Sequence, residues 1–567
     1  MKKFLSVIMA IILILSTSIF NASAFFEDVF YEDGPIIYEH VYYALDSESK
    51  TAAVFGYDTD DDGQSLVAES LTIPKQVQNN GKKYTVTEIA YGAFMDCSSI
   101  KSVNIPDTVT TIDNYAFGSA QLLEKVNIPY SIEFEYFGVG VFDNTFAMNY
   151  FAENSVDGEI ILGQNVLLAY LGNAETYTVS EEIDFIADRC FFMSGVKNIN
   201  LNNNIEEIYE YTFANCRNLK EITIPDSVYY IGDGAFANCT NLEKVNLGDY
   251  IEIIGIRAFE GTIINEIYIG DSMYDLMGAF AGCNTIEKFN ISDNNENYYV
   301  DNDALCFHSK IVDEDGSIWF EDYYLEYYIA SSDNKTYTVP GIISFIGDYA
   351  FYNCDQLENV TFTSPVAIGN YAFADCSFES FDFSKVTDTG YGAFRSCKSI
   401  KVADLSNTYS IGDSAFENCT SLSSVTFYDE LSVIGSRAFA NTAIETANIS
   451  GDLCDIYDGA FSECLSLKTV NFDDGVYYIG NEIFANCPSL ETVYISETVE
   501  YIEANAFIDC ENVNFEVIKY SYGYDFISDL ADEMDISYEV VGSVSFIKRL
   551  TNFFNQIFAF LFGWLMF

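Results

Sequence analysis

Histidine and tryptophan are nearly absent from this chain, two of each in 567 residues, and proline is held to eight. Neither His40 nor His308 has a nucleophile motif beside it, so the base and metal-ligand chemistry that imidazole supplies finds no support. No CxxC pair occurs, and fourteen cysteines without histidines do not read as a zinc site. Positive charge is scarce as well: 26 Lys and Arg stand against 86 Asp and Glu, a formal net charge of −60. A field of that sign repels nucleic acid and anionic membrane, and it favours solubility and cationic partners or metal ions. The acids are spread rather than run together, so a solvated surface is the plainer account of most of them. Carboxylates are too numerous for any glycosidase-like pair to stand out, and no cofactor motif is present.

What is abundant is repetition. Leu219 to Cys239 reads LKEITIPDSVYYIGDGAFANC, and the frame I-x-x-x-A-F-x-x-C followed by V-x-I recurs along most of the chain. The Phe falls at Phe94, Phe117, Phe142, Phe191, Phe213, Phe236, Phe259, Phe280, Phe351, Phe373, Phe394, Phe416, Phe439, Phe461, Phe484 and Phe507. Apart from two gaps the steps are 21 to 25 residues. A fixed period in that range marks a solenoid, whose units bury their apolar faces only against their neighbours. Leu242, Val245 and Leu247 alternate along a short strand, with a Pro or Gly after it in many copies. Val228 and Ile231 begin the return path, and Phe and Cys three apart predict one helical or 3₁₀ turn with both on one face.

The pattern AFxNCxxLxxVxIPxxVxxIGxxAF resembles the BspA-type leucine-rich repeats of bacterial surface proteins over roughly residues 71–517. The resemblance implies a mainly β, right-handed leucine-rich-repeat solenoid of about 16 coils with short helical or 3₁₀ turns, closed by N- and C-terminal caps. It also implies an exported, cell-surface or secreted binding protein, often adhesive. The repeat names the scaffold and leaves the ligand open.

In chain order, residues 1–24 read as a secretory signal peptide: Lys2 and Lys3, an apolar run from Phe4 to Leu15, and a small-residue site at Ala22-Ser23-Ala24. Residues 25–70 leave the repeat frame and read as a β cap over the end of the column. Inside it, Asp58, Asp60 and Asp62, with Gly63 and then Glu69, satisfy the spacing of a calcium loop. The flanks look like strands where an EF-hand needs helices, so an acidic hairpin turn is the competing account.

The gaps in the Phe series, 49 residues after Phe142 and 71 after Phe280, carry two related insertions at about 148–180 and 291–340. Both open on Asn-Tyr and close on Thr-Tyr-Thr-Val, with strand-like runs between. We read them as β-hairpin excursions from the stack. Trp319, Tyr323, Tyr324 and Tyr327 in the second are the candidate ligand contacts, because loops carry function. A purely structural role, filling a break in the column, weighs about as much.

Eleven of the cysteines lie three residues after the Phe, among them Cys97, Cys239, Cys419 and Cys487. Like Phe94, Phe236, Phe416 and Phe484, they are expected to be structural. Repeated at one inward site they would form a ladder of parallel Cβ vectors, which disfavours the disulfide torsion, so buried thiols are expected as core filler. Residues 518–542 read as a C-terminal cap with a helix around Phe526–Met534 and a closing strand. Residues 543–567 form a hydrophobic tail, and the apolar run from Leu550 would be about 27 Å long as a helix, just short of a bilayer core. Its polar-and-small stripe suits contact with a membrane interface or a partner helix, with folding back on the last coils as the alternative.

The expectation is therefore a secreted or surface-bound protein, without catalysis, that adheres to host or neighbouring-cell proteins or glycans. A self-associating surface-layer component ranks second, and an enzyme of unknown type is a distant third.

Overall fold

The computed structural model describes residues 35–60, 63–129, 141–142, 145, 159–162, 165–276, 278–312, 318–330, 334–451, 454–508, 513–534 and 537–543. The protein divides into two compact units, Met1–Leu242 and Glu243–Phe567. Each is built from the same turn, and the protein is mainly β.

The turn around the Ala-Phe pair is not a helical one. The residues two before and two after the Phe take positive φ, as at Tyr211 (54°) and Asn215 (61°) in the first unit and Tyr349 (58°) and Asn353 (55°) in the second. That conformation breaks any 3₁₀ run into consecutive β-turns and sends alternate N–H groups in different directions. Ala350, Tyr352 and Cys354 donate within the turn, to Gly347, Tyr349 and Phe351. Tyr349, Phe351 and Asn353 donate to Asn370, Ala372 and Ala374 of the next turn, at 2.8–2.9 Å. Every buried amide of the corner is thereby satisfied, half locally and half by the stack.

Two short strands per turn complete the coil. In the first unit, Thr176–Thr178, Asn198–Asn200 and Glu221–Thr223 form one parallel ladder, and Glu207–Ile208 pairs with Tyr230–Ile231 in another. In the second unit an eleven-stranded sheet runs from Tyr298–Asp301 to Tyr501–Ile502, parallel from Ile318–Tyr328 onward. The glycine after the second strand is set by close approach: a Cβ on Gly412 would lie 2.6 Å from the Gly390 carbonyl.

Down the middle run the phenylalanine rings, fully buried and stacked near the strand spacing of about 4.8 Å. Phe94 and Phe117 are 5.2 Å apart at 7°, and Phe394, Phe416 and Phe439 follow at 5.2 and 5.3 Å. All thirteen described cysteines are buried thiols. They are more than filler, because eight of the repeat thiols donate to the Phe carbonyl one turn back, among them Cys239 to Phe213 at 3.0 Å, Cys419 to Phe394 at 3.1 Å and Cys487 to Phe461 at 3.1 Å. Thr262 and Thr442, which stand where Cys is missing, turn their hydroxyls to the carbonyl of their own Phe. Cys510 lies outside the described residues.

Both insertions are β-hairpins, and they are also part of the stack. Their second strands are rungs of the column: Val166–Tyr170 pairs in parallel with Phe185–Ile186, and Ile318–Tyr328 with Phe345–Ile346. Tyr170 and Tyr328 take the place of the missing phenylalanines, 5.4 Å from Phe191 and 5.0 Å from Phe351. Counting these two rings, the sixteen expected coils become about 18 turns.

At the N-terminal end, Ile36–Tyr38, Val41–Asp46 and Thr51–Tyr57 pair antiparallel, with every second residue of Val41–Asp46 buried. The cap sheet reaches past residue 70, because Lys82–Ile89 pairs antiparallel with Gln76–Asn79 and parallel with both Thr51–Tyr57 and Thr111–Ile112. At the other end, the helix Tyr522–Met534 is N-capped by Ser521, whose hydroxyl accepts from the Tyr524 amide at 3.1 Å. Ile527 is buried, and the strand Ser537–Ser543 closes the sheet on Asn514–Lys519. Among the described residues no helix is long and apolar enough to cross a membrane. The signal-peptide segment and residues 544–567 of the tail lie outside the described residues.

Candidate functional site

The outward faces of the first strands are largely engaged with themselves. Asn198 donates to Thr176 at 3.1 Å, Asn127 to Asn104 at 2.8 Å and Asn471 to Asn448 at 2.6 Å, each one turn apart. The scarce lysines are held in the same way: Lys197 by Glu175, Lys335 by Glu358 and Lys468 by Glu445, at 2.6–3.0 Å. Cross-strand pairs of this kind steady the ladder.

The second insertion breaks this regularity. Ala304–Val312 and Ile318–Tyr328 form a long antiparallel hairpin, but only Tyr324 and Leu325 pair with the next rung. The Tyr323 carbonyl still accepts from the Ser344 amide at 3.1 Å, so the part of the hairpin that extends beyond the column is Ile318–Glu321 and the strand opposite it. On one face of it His308 stacks on Tyr323 (4.4 Å, 6°), and the His308 Nε2 and Tyr323 hydroxyl both reach Glu321 Oε1, at 2.9 and 3.0 Å. Those hydrogen bonds, His308 first, hold the Glu321 carboxyl below its ordinary range. On the other face Phe307 lies between Tyr298 and Tyr324, at 4.9 and 6.0 Å, with Phe345 edge-on to Tyr324. A cleft of about 470 Å³ opens at the hairpin base, lined by Glu287, Lys288, Phe289, Val300, Asn302, Asp303 and Ile329.

The four candidate aromatics thus divide. Tyr323 and Tyr324 lie on opposite faces of the hairpin. Tyr327 is a core residue instead of a surface contact: it is buried, packs against Phe280 and Phe289, and donates to the Cys283 carbonyl at 2.7 Å. Trp319 stands in the outer strand, and its side chain lies outside the described part.

A bulge explains the inward turn. Leu305 pairs with Tyr327 and Cys306 with Leu325, which leaves Glu326 as the additional residue. In neighbouring turns the residue two before the ring has positive φ, as at Tyr349 and Tyr371, whereas here the strand stays extended through Tyr328. Glu326 is left 4% exposed, its Oε2 meets no donor, and Asp275 and Asp348 lie near it. Burial first, and those two carboxylates second, push its carboxyl up to about 8, so it is protonated at neutral pH. Tyr170, Tyr328 and Glu326 all escape a reading keyed to Ala-Phe. The signal for Tyr328 is its place eight residues before Thr336, the offset at which Phe351 precedes Asn359.

In the N-terminal cap the calcium-loop carboxylates have other partners. Asp58 accepts from His40 Nδ1 and the Tyr42 hydroxyl, Asp60 from the Gln64 amide, and Glu69 pairs with Lys101 at 3.0 Å. Asp62 lies outside the described residues. Among the described residues no group of three His, Cys, Asp or Glu is placed to hold a metal ion.

Residues 69–158, 163–287, 326–409 and 393–514 match the family model of the BspA type leucine-rich repeat region, in 6 copies. Among solved structures, a leucine-rich cell surface protein from Faecalibacterium prausnitzii is 21% identical, covering 87% of this chain and 97% of its own, with a TM-score of 0.32. The pneumococcal vaccine antigen PcpA is 15% identical over 90% of this chain and 98% of its own, with a TM-score of 0.34. A leucine-rich repeat protein from Bacteroides ovatus is 20% identical over 86% of this chain and all of its own, with a TM-score of 0.27. These likenesses concern the fold alone. No curated protein matches the chain. With more than half of its length inside the repeat model, the protein belongs to the BspA-type leucine-rich-repeat family.

Proposed function

We propose that the protein is exported by its first 24 residues and displayed at the cell surface, where it binds extracellular proteins or glycans. The family is one of bacterial surface proteins with a protein-binding role, which supports the coarser half of this reading. The observation that carries the finer half is the hairpin Ala304–Val312 and Ile318–Tyr328. It extends past the rung it joins and presents polar and aromatic groups outside the column. A rigid stack that holds such a hairpin suits binding with little ordering cost.

The test is a screen of the mature chain, beginning at Phe25, against host and neighbouring-cell proteins and glycans. It is repeated with residues 308–323 replaced by a short turn. A saturable ligand whose binding weakens in the shortened variant is the expected result. Ordered self-assembly without any ligand would replace this reading with a surface-layer component, and turnover in a glycoside or peptide panel would replace it with an enzyme.

A further inference from the structure

The last turns of the second unit combine two features that occur together nowhere in the candidate hairpin. Between Arg437 and Lys519 the chain has one basic residue, Lys468, against fifteen Asp and Glu. Lys468 is itself held by Glu445 at 3.0 Å. Within this stretch three tyrosines follow one another along the outside of adjacent rungs. Tyr457 and Tyr478 are 5.9 Å apart at 51°, and Tyr478 and Tyr501 are 5.8 Å apart at 21°. The rungs are in register, with Asp455 opposite Tyr478 and Tyr478 opposite Tyr501. Tyr457 and Tyr501 are 41% and 53% exposed, far more than packing in a column requires. Tyr478 is half-buried and donates to Glu503 Oε1 at 3.1 Å, which fixes its ring and leaves that carboxylate beside it.

An array of aromatic faces flanked by carboxylates, with no spare cation nearby, is complementary to positive charge. A cation over a tyrosine face is attracted by the ring quadrupole, and more so when a carboxylate stands beside it. The spacing also fits one shape of partner. Side chains on one face of an extended strand repeat every ~6.7 Å, close to the ring-to-ring steps here.

Resting on the reading of the protein as a surface binder, we propose that Tyr457, Tyr478 and Tyr501, with Asp455 and Glu503, form the docking face for an extended lysine- or arginine-rich segment of a partner protein. Cationic side chains at alternate positions of that segment sit over successive rings. A second copy of this chain is a poor occupant, because its net charge of −60 repels the first. A neutral glycan stacked on the rings is the competing occupant, and the test separates it.

The probes are a twelve-residue Lys-Ser repeat peptide, its Glu-Ser counterpart and cellohexaose, each titrated against the full mature chain. The Lys-Ser peptide is expected to bind, to weaken as salt rises, and to lose about tenfold in affinity with Tyr478→Ala and Tyr501→Ala together. The same pair changed to Phe should bind within about twofold of the parent, because the ring face remains. Tyr91→Ala with Tyr115→Ala, in the other unit, should change nothing. If the Ala pair lowers the melting temperature, Asp455→Asn with Glu503→Gln serves instead, and it should weaken the peptide while leaving the rings in place. Equal binding by the parent and the Tyr478→Ala, Tyr501→Ala pair, or cellohexaose displacing the peptide, overturns the proposal. If the surface ligand found by screening binds the Ala pair normally, this face is wrong and the binder reading stands. If no probe and no screened ligand binds, the binder reading falls with it.

Discussion

A phenylalanine in the stack touches a ring above and a ring below, and the rigid turns around it cannot close on a void. Phe416 lies 5.2 Å from Phe394 and 5.3 Å from Phe439. Phe416→Ala is expected to cost about 3–5 kcal/mol, read as a lower melting temperature of the second unit's transition in calorimetry. The thiols beside the rings are expected to be inert. Burial pushes Cys283, Cys354 and Cys397 up to about 12, so they remain protonated and unreactive at neutral pH. Iodoacetamide should label the native protein almost nowhere and the denatured protein at every repeat cysteine. Four or more disulfides found by mass mapping would contradict this. Among the described residues, Glu326 is a deeply buried acid whose titration reaches the neutral range. Its folded carboxyl is raised to about 8 from an ordinary value near 4.5, so its contribution is fully present below about 4.5 and is lost as pH rises towards 8. Glu326→Gln should flatten that fall, so parent and variant melting curves converge at low pH and separate at pH 8 by an amount on the order of a few kcal/mol. Parallel pH profiles would show that the carboxyl is hydrated and ordinary.

At the scale of elements, the hairpin is both a rung and an extension. Its inner half supplies Leu325, Tyr327 and Tyr328 to the core, Asp322 and Tyr323 still bond to Ser344 of the next rung, and the residues beyond them pair across the hairpin. The outer half is thus the part that can be removed without opening the column. The tail poses the same question at the other end. Ser537–Ser543 pairs with Asn514–Lys519 and carries exposed Tyr538, Val540 and Val541 just before the apolar residues 544–567. If the tail attaches the protein to a membrane or a partner helix, cutting it after Ser543 releases the protein into the medium with its melting temperature unchanged. A truncated protein that stays on cells, or melts markedly earlier, would make the tail a cover for this exposed strand.

For the molecule as a whole, charge is the dominant long-range term. Ion pairs such as Lys197 with Glu175 and Arg437 with Glu417 occupy much of the little positive charge, and most acids are left facing solvent. Self-repulsion in such a chain is screened by salt, with a Debye length of about 10 Å at 0.1 M. Raising sodium chloride from about 10 to 200 mM should therefore raise the melting temperature. A fall would mean that the exposed ion pairs outweigh the repulsion.

The period and the inward Phe and Cys were legible along the chain because each is a local pattern repeated in most turns, and the capped ends because they depart from it. A residue that recurs at one offset through sixteen copies must point the same way in all of them. The number of turns was not legible, because Tyr170 and Tyr328 fill a phenylalanine's place without its Ala-Phe signature. Nor was the corner, whose positive φ at residues as different as Tyr349, Arg437 and Asn353 follows from the hydrogen bonds of the neighbouring turn rather than from their own preference. The candidate site was legible as a segment and not as a set of contacts. Side chains in a strand alternate between faces, and the one additional residue at Glu326 breaks that alternation, so that Leu325, Tyr327 and Tyr328 are all buried with a carboxyl among them, while Tyr323 is only partly buried against the core. Only the packing of the hairpin against the column places that bulge.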